Sequence, residues 1–161
     1  MATPAIDSEV RLRRGDSSDL DDVMHVMEAA FGNRFGEAWT RSQCAGILPM
    51  AGVCMVLARD PIDEEAIGFS LSRSVADESE LLLLAVRPTH HRRGIGGLLL
   101  DEFMKRARDQ GLSRVHLEVR DGNPAVEMYR DAGFRPVGRR RNYYRSPDGA
   151  RSDALTLVRE L

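Results

Sequence analysis

Residues 80–100, ELLLLAVRPTHHRRGIGGLLL, decide the fold because an apolar run gives way to a basic, glycine-rich turn and then to a second apolar run. The first run, residues 81–86, is apolar at every position, as in a central strand whose two faces are both covered by helices. Pro88 ends this strand, and from Ile95 onward the apolar residues follow helical spacing. The stretch therefore predicts a strand, a turn and a helix.

The turn is suited to anion binding. The N–H groups at a helix start have no partner within the helix, and the helix dipole adds positive charge, so phosphate is attracted there. A Walker A loop would need a Gly-Lys-Ser/Thr end, which is absent, and a dinucleotide fingerprint would need a third glycine where Leu99 stands. The alternative to phosphate binding is a glycine-rich connection with solvated arginines.

The same turn resembles the Arg/Gln-x-x-Gly-x-Gly/Ala motif of the GCN5-related N-acetyltransferases, the GNAT family, with His91 where Gln or Arg is usual. The resemblance implies one α/β domain over residues 1–161, with a central mixed sheet of about six to seven strands and about four flanking helices. It also implies that a splayed pair of parallel strands holds acetyl-CoA. The residues that it assigns to acetyl-CoA are Leu84, Ala85, Val86, Arg92, Arg93, Gly94, Ile95, Gly96, Gly97 and Asn123.

Composition and charge limit the other classes of protein to which this chain could belong. With 161 residues, 23 Lys and Arg against 25 Asp and Glu, and a net charge of -2, we expect a single domain without stable nucleic acid binding. Cys44 and Cys54 have neither the number nor the spacing of a disulfide framework or zinc site, so no metal is expected. Residues 1–8 are expected to be flexible. No apolar run approaches a membrane helix, and we expect a soluble cytoplasmic protein.

Periodicity and turn signals place the remaining elements around this centre. The expected helices cover a segment capped by residues 16–18 and running to Phe31, residues 37–48, and a last helix from Asn123–Pro124 to Ala132. The expected strands are residues 9–14, Val53–Arg59, 67–75, Arg114–Arg120, 134–137 and 154–158.

Two side chains are candidates for acid–base chemistry. Glu118 lies on the polar face of Arg114–Arg120, together with His116 and Arg120, and is a candidate base that acts directly or through a water. A solvated glutamate is the alternative, but the position on the strand after the phosphate-binding helix favours the base. The Tyr129 phenol can protonate a leaving thiolate, although its helical spacing would also suit a core tyrosine. Asn123 either caps its helix or also reaches the CoA arm.

Residues 117–134 and 140–155 resemble the bacterial ribosomal-protein alanine N-acetyltransferases (RimI type) within the GNAT family. This resemblance implies that Glu118 accepts the proton, Tyr129 donates one, and acetyl passes directly to a protein N-terminal α-amine, with a ribosomal protein bearing N-terminal alanine as acceptor. Residues 123–129 are one residue shorter than in many of those enzymes. The alternatives are a GNAT enzyme that acetylates a small-molecule amine or a lysine, and a non-catalytic acyl-CoA-binding or ribosome-binding module.

Aromatic and basic residues are the candidates for binding the acceptor of the acetyl group. The family binds acceptors between its first helices and its last strand pair, so five aromatic side chains are candidates for a groove, although most would also suit a core: Phe31, Phe35, Trp39, Tyr143 and Tyr144. A second set forms a local basic cluster, Arg135, Arg139, Arg140, Arg141 and Arg145, interpreted first as a solvated hairpin and second as a contact for ribosome or RNA.

Overall fold

The computed structural model describes residues 10–32 and 34–161. The expected flexible segment, residues 1–8, and the first residue of the expected first strand, Glu9, lie outside the described residues. No helix in the described ranges is both long enough and apolar enough to cross a membrane.

One mixed sheet organises the described residues. Its seven strands are β1 Arg11–Gly15, β2 Val53–Arg59, β3 Ala66–Val75, β4 Glu78–Val86, β5 Arg114–Arg120, β6 Arg135–Arg145 and β7 Arg151–Glu160. The spatial order is β1-β2-β3-β4-β5-β7-β6, and every neighbouring pair is antiparallel except β4 and β5, which are parallel. This confirms the predicted mixed sheet.

Four α-helices, counted over the described ranges, cover the sheet: α1 Leu20–Phe31, α2 Arg41–Ile47, α3 Ile95–Asp109 and α4 Ala125–Asp131. The first two pack on one face, where Val23 and Met27 of α1 share a core with Leu57 and Phe69. The other two pack on the opposite face, where Leu100 and Phe103 of α3 share a core with Tyr129 of α4. The predicted count of about four helices is confirmed.

Several predicted bounds are correct and others are wrong. Strands Val53–Arg59 and Arg114–Arg120 are found as predicted, whereas the first strand ends at Gly15 and the last two strands are longer than expected. The helix predicted over residues 37–48 begins only at Arg41. Thr40 is the reason, because its side chain caps the helix and Gln43 returns a bond to the Thr40 backbone. Residues 37–39 therefore lie outside the helix, and they line the cleft described below.

The all-apolar strand has a local irregularity that matters for the site. The register between β3 and β4 shifts between Leu71 and Ser72, so that Leu82 of β4 has no opposite residue and forms a bulge. Leu81, Leu83 and Ala85 are buried, while Leu82, Leu84 and Val86 are half-buried. The second set lines the cleft described next.

Candidate active site

A gap opens between the two parallel strands. β4 and β5 pair only from Glu78 with Arg114 to Leu81 with Leu117. Beyond that point, β4 stays paired with β3 as far as Val86, and β5 stays paired with β7 as far as Arg120. Each strand thus presents one unpaired edge of N–H and C=O groups to the gap, which an extended ligand can pair with.

The gap is part of a cleft with a volume of about 1180 Å³. It receives side chains from α1, the segment that follows it, β4, the turn before α3, β5, α4 and β6. The residues expected at the site that line it are Leu84, Ala85, Val86, Arg92, Gly94, Ile95, Gly96, Gly97, Glu118, Asn123 and Tyr129. Arg93 lies in the same turn but does not line the cleft. The fold therefore brings these residues together from β4, the turn and start of α3, β5, and α4 with the residues before it.

The turn before α3 has the backbone that an anion site needs. Arg92 and Gly94 both have positive φ, 61° and 76°, and α3 starts at Ile95. The first bond within the helix is donated by Leu98 to Gly94, so the N–H groups before Leu98 have no helical partner. A Cβ atom added to Gly97 would meet nothing within 4 Å, which leaves open space beside these groups. The turn therefore fits a pyrophosphate.

His91, where the motif usually has Gln or Arg, holds the turn to the end of β4. Its ring bonds through Nε2 to the carbonyl oxygen of Val86 at 3.0 Å. The ring thus ties the turn to the strand whose free edge faces the gap.

Glu118 lies on β5 just beyond the point where the strands part. The predicted alternation is confirmed, because Val115, Leu117 and Val119 are buried on the opposite face. The Glu118 side chain is 20% exposed, and its Oε1 lies 2.8 Å from Nε of Arg140 on β6, in an ion pair. It is thus a partly shielded carboxylate in the cleft, with one guanidinium beside it.

Tyr129 projects from α4 and is 5% exposed. Its ring packs edge-on against Phe134, with centroids 5.9 Å apart. Burial is the main cause that raises the pKa of the phenol, and the nearby Tyr144 and Glu37 raise it further. The phenol therefore stays protonated, and it is a weaker acid than an exposed phenol. Tyr129 is therefore both a core residue, as its helical spacing allowed, and a residue that lines the cleft.

Asn123 uses both ends of its amide within the protein. Its Oδ1 accepts from the N–H of Ala125 at 2.9 Å, and its Nδ2 donates to Oε2 of Glu37 at 3.0 Å. It caps the start of α4, as one of the two sequence interpretations expected.

Sequence reasoning missed a buried ion pair at the site. Arg120, expected on the polar face of its strand, is buried, and its Nε donates to Oε1 of Glu37 at 3.0 Å. The guanidinium also lies 3.7 Å from the ring centroid of Phe35. Glu37 and Arg120 are 83 residues apart, so local periodicity carries no signal for the pair.

The aromatic residues expected on the acceptor side, Phe31, Phe35, Trp39, Tyr143 and Tyr144, all line the cleft. Tyr144 is half-buried, and burial, followed by Glu37 and Glu118, raises its pKa to about 12. The cleft is thus apolar and aromatic on the side opposite the turn. The basic cluster on β6 is mostly exposed, and ion pairs hold Arg139 to Asp121 and Asp153.

Cys44 is buried and Cys54 half-buried, and they lie in separate core clusters. Among residues 10–32 and 34–161, no group of three His, Cys, Asp or Glu side chains is placed to hold a metal ion.

A family model described as acetyltransferase (GNAT) family matches residues 20–134. The [ribosomal protein bS18]-alanine N-acetyltransferase of Haemophilus influenzae is 36% identical over 96 residues, which cover 60% of this chain and 66% of that enzyme. The enzyme of the same name from Escherichia coli is 37% identical over 91 residues, covering 56% of this chain and 61% of the relative. The matched segment thus spans slightly less than two thirds of these relatives.

Solved structures extend the similarity over nearly the whole chain. The crystal structure of the ribosomal-protein-S18-alanine N-acetyltransferase from Escherichia coli superposes with a TM-score of 0.84 and 26% identity. That superposition covers 94% of this chain and 93% of the other.

Proposed function

The chain belongs to the GNAT acetyltransferase family, and we propose that it transfers the acetyl group of acetyl-CoA to the N-terminal α-amine of a protein. The acceptor that we propose is a ribosomal protein with an N-terminal alanine, because the curated relatives carry that activity in their names. The observation that carries the proposal is the gap between β4 and β5, which has a phosphate-type turn at one end and Glu118 and Tyr129 beside it.

Acetyl-CoA would be held by backbone more than by side chains. The free edge of β4 at Leu84 and Ala85 can pair with the pantetheine arm, and Val86 lines the cleft beside it, with its carbonyl oxygen bonded to His91. The N–H groups at the start of α3 suit the pyrophosphate. Arg92 and Arg93 add positive charge at the turn, with Arg92 on the cleft wall. When bound, acetyl-CoA supplies an acetyl thioester, whose carbonyl carbon is open to attack by an amine.

We assign the proton transfers to Glu118 on β5 and Tyr129 on α4. Glu118 takes one proton from the acceptor ammonium, directly or through a water, and so frees the nitrogen lone pair. The nitrogen then bonds to the acetyl carbon as the carbon–sulfur bond breaks, and the nitrogen loses its second proton, which restores the Tyr129 phenol after that phenol has protonated the sulfur. Tyr129 donates its phenolic proton to the departing sulfur; its raised pKa keeps the phenol neutral before the step and makes it a weaker acid than an exposed phenol, so the proton moves as charge builds on the sulfur. No covalent enzyme intermediate is needed.

The acceptor would enter along the aromatic wall. Phe35, Trp39, Tyr143 and Tyr144 line the cleft on that side and give apolar surface to a first side chain as small as alanine. The amine would then meet Glu118 at the point where the strands part.

The test is CoA release from acetyl-CoA with three acceptors: a peptide with a free N-terminal alanine, the same peptide N-terminally blocked but containing lysine, and a polyamine. Turnover on the free peptide alone supports the proposal. Turnover only on the blocked peptide or only on the polyamine would contradict it and favour a lysine or small-amine acetyltransferase. If acetyl-CoA binds but no CoA is released with any of the three acceptors, the result would favour a binding module.

A further inference from the structure

We propose that Glu37 is a positioning residue that joins the aromatic wall of the cleft to the ends of β5 and α4, and so sets the distance between the acceptor amine and both proton-transfer residues. The inference rests on the proposed function, since it concerns the acceptor side of that site. It is carried by a set of contacts that converge on one carboxylate.

Both oxygens of Glu37 are used. Oε1 accepts from Nε of Arg120 and Oε2 accepts from Nδ2 of Asn123, each at 3.0 Å. The Glu37 side chain is 12% exposed and that of Arg120 10% exposed, so the pair is almost entirely removed from water. Because a buried charge without a partner is costly, each member fixes the place of the other.

These two partners lie at the two places where the chemistry is proposed. Arg120 is the last residue of β5, two residues after Glu118. Asn123 accepts from the N–H of Ala125, the first residue of the helix that carries Tyr129. Glu37 therefore contacts the end of the strand that holds the base and the cap of the helix that holds the acid.

The segment that carries Glu37, residues 34–39, is also held by Ala38 and Trp39, which pack against the core beneath α1 and α2. It has no regular secondary structure, because α2 begins only at Arg41. Its other anchors are Phe35 under the Arg120 guanidinium and Gly36, whose φ of +73° brings the backbone against the Arg145 carbonyl. Phe35 and Trp39 from this segment line the cleft, and the carboxylate between them adds to the contacts that fix their position.

The charge of Glu37 also reaches the cleft. It is among the causes that raise the pKa of Tyr129 and that of Tyr144, which lie on different elements. This agrees with the position of Glu37 between α4 and β6, as the contacts indicate.

The experiment measures kcat and KM for both substrates in Glu37→Gln, with acetylation of the alanine peptide as readout. We expect kcat/KM for the peptide to fall about 10- to 100-fold, since small displacements of reacting groups have effects of that size. The KM for acetyl-CoA should change less than kcat/KM for the peptide, because Asn123 is the one residue assigned to acetyl-CoA that bonds to Glu37, and the turn and strand edge do not. The matched control is Glu127→Gln, an exposed carboxylate on α4, which should behave as wild type.

A double-variant cycle separates positioning from general damage. Arg120→Gln alone leaves the Glu37 carboxylate buried without its cation and should lose more activity than the double variant Glu37→Gln/Arg120→Gln. If Glu37→Gln does not fold, the activity of the double variant is compared with that of Arg120→Gln instead. A lowered melting temperature with unchanged kcat/KM for the peptide would overturn the inference, and so would losses that simply add. Absence of acetylation by the wild-type chain would overturn the proposed function together with it.

Discussion

Replacing Glu118 with Gln separates a catalytic carboxylate from a structural one, because the two roles predict effects of very different size. As an ion pair, Glu118 meets Arg140 with side chains 20% and 62% exposed, and a pair of that exposure contributes about 0 to 1 kcal/mol to stability. The melting temperature of Glu118→Gln should therefore fall by less than about 4 °C.

As a general base, the same carboxylate should contribute about 10² to 10⁴ in rate. That loss corresponds to about 3 to 5 kcal/mol of transition-state stabilisation, several times the stability effect. The assay is CoA release at saturating acetyl-CoA and alanine peptide, with a thermal melt of the same sample. Glu118→Gln should remain folded and lose at least 10²-fold in kcat.

Two comparison variants make the result interpretable. His116→Gln removes an ionisable side chain from the same face of β5, at a position that does not line the cleft, and should keep wild-type kcat. Arg140→Gln breaks the Glu118 ion pair but leaves the carboxylate, so any excess loss in Glu118→Gln belongs to the carboxylate itself. A kcat for Glu118→Gln within about threefold of wild type would refute the assignment of the base.

Three further predictions concern other parts of the site. Gly36→Ala should lower the free energy of unfolding by about 2 kcal/mol or more, measured by denaturant titration, because φ is +73° and the new Cβ would lie 2.2 Å from the Arg145 carbonyl oxygen. Arg92→Gln should raise the KM for acetyl-CoA more than Arg93→Gln, since only Arg92 lines the cleft; equal effects would contradict this. Because burial raises the pKa of Tyr144 to about 12, the ionised phenol is disfavoured in the folded state. Stability should therefore decline as pH rises from about 10 toward 12, less steeply in Tyr144→Phe.

The centre of the fold could be predicted from local sequence, because its signals are local. The apolar run, Pro88 and the glycines before Ile95 determine a strand, a turn and a helix without any distant residue. The alternation in Arg114–Arg120 likewise placed Glu118 on the face opposite the buried valines, as found.

What could not be predicted depends on contacts between distant residues. The burial of Arg120 requires Glu37, 83 residues earlier, and the local sequence around neither residue predicts the ion pair. The start of α2 is a different kind of error, because Thr40 and Gln43 form a capping box that was legible in the sequence. The bulge at Leu82 comes from the register of β3 against β4, which strand composition does not encode.

The most direct test of the account is to incubate the chain with acetyl-CoA and full-length ribosomal protein S18, and to locate the acetyl group by fragmentation mass spectrometry. The account predicts one acetyl group per S18 chain, on the nitrogen of the N-terminal alanine, and none when Glu118→Gln replaces the wild type. Acetylation confined to lysine side chains, or an unmodified S18 in the presence of an enzyme that acetylates other amines, would contradict it.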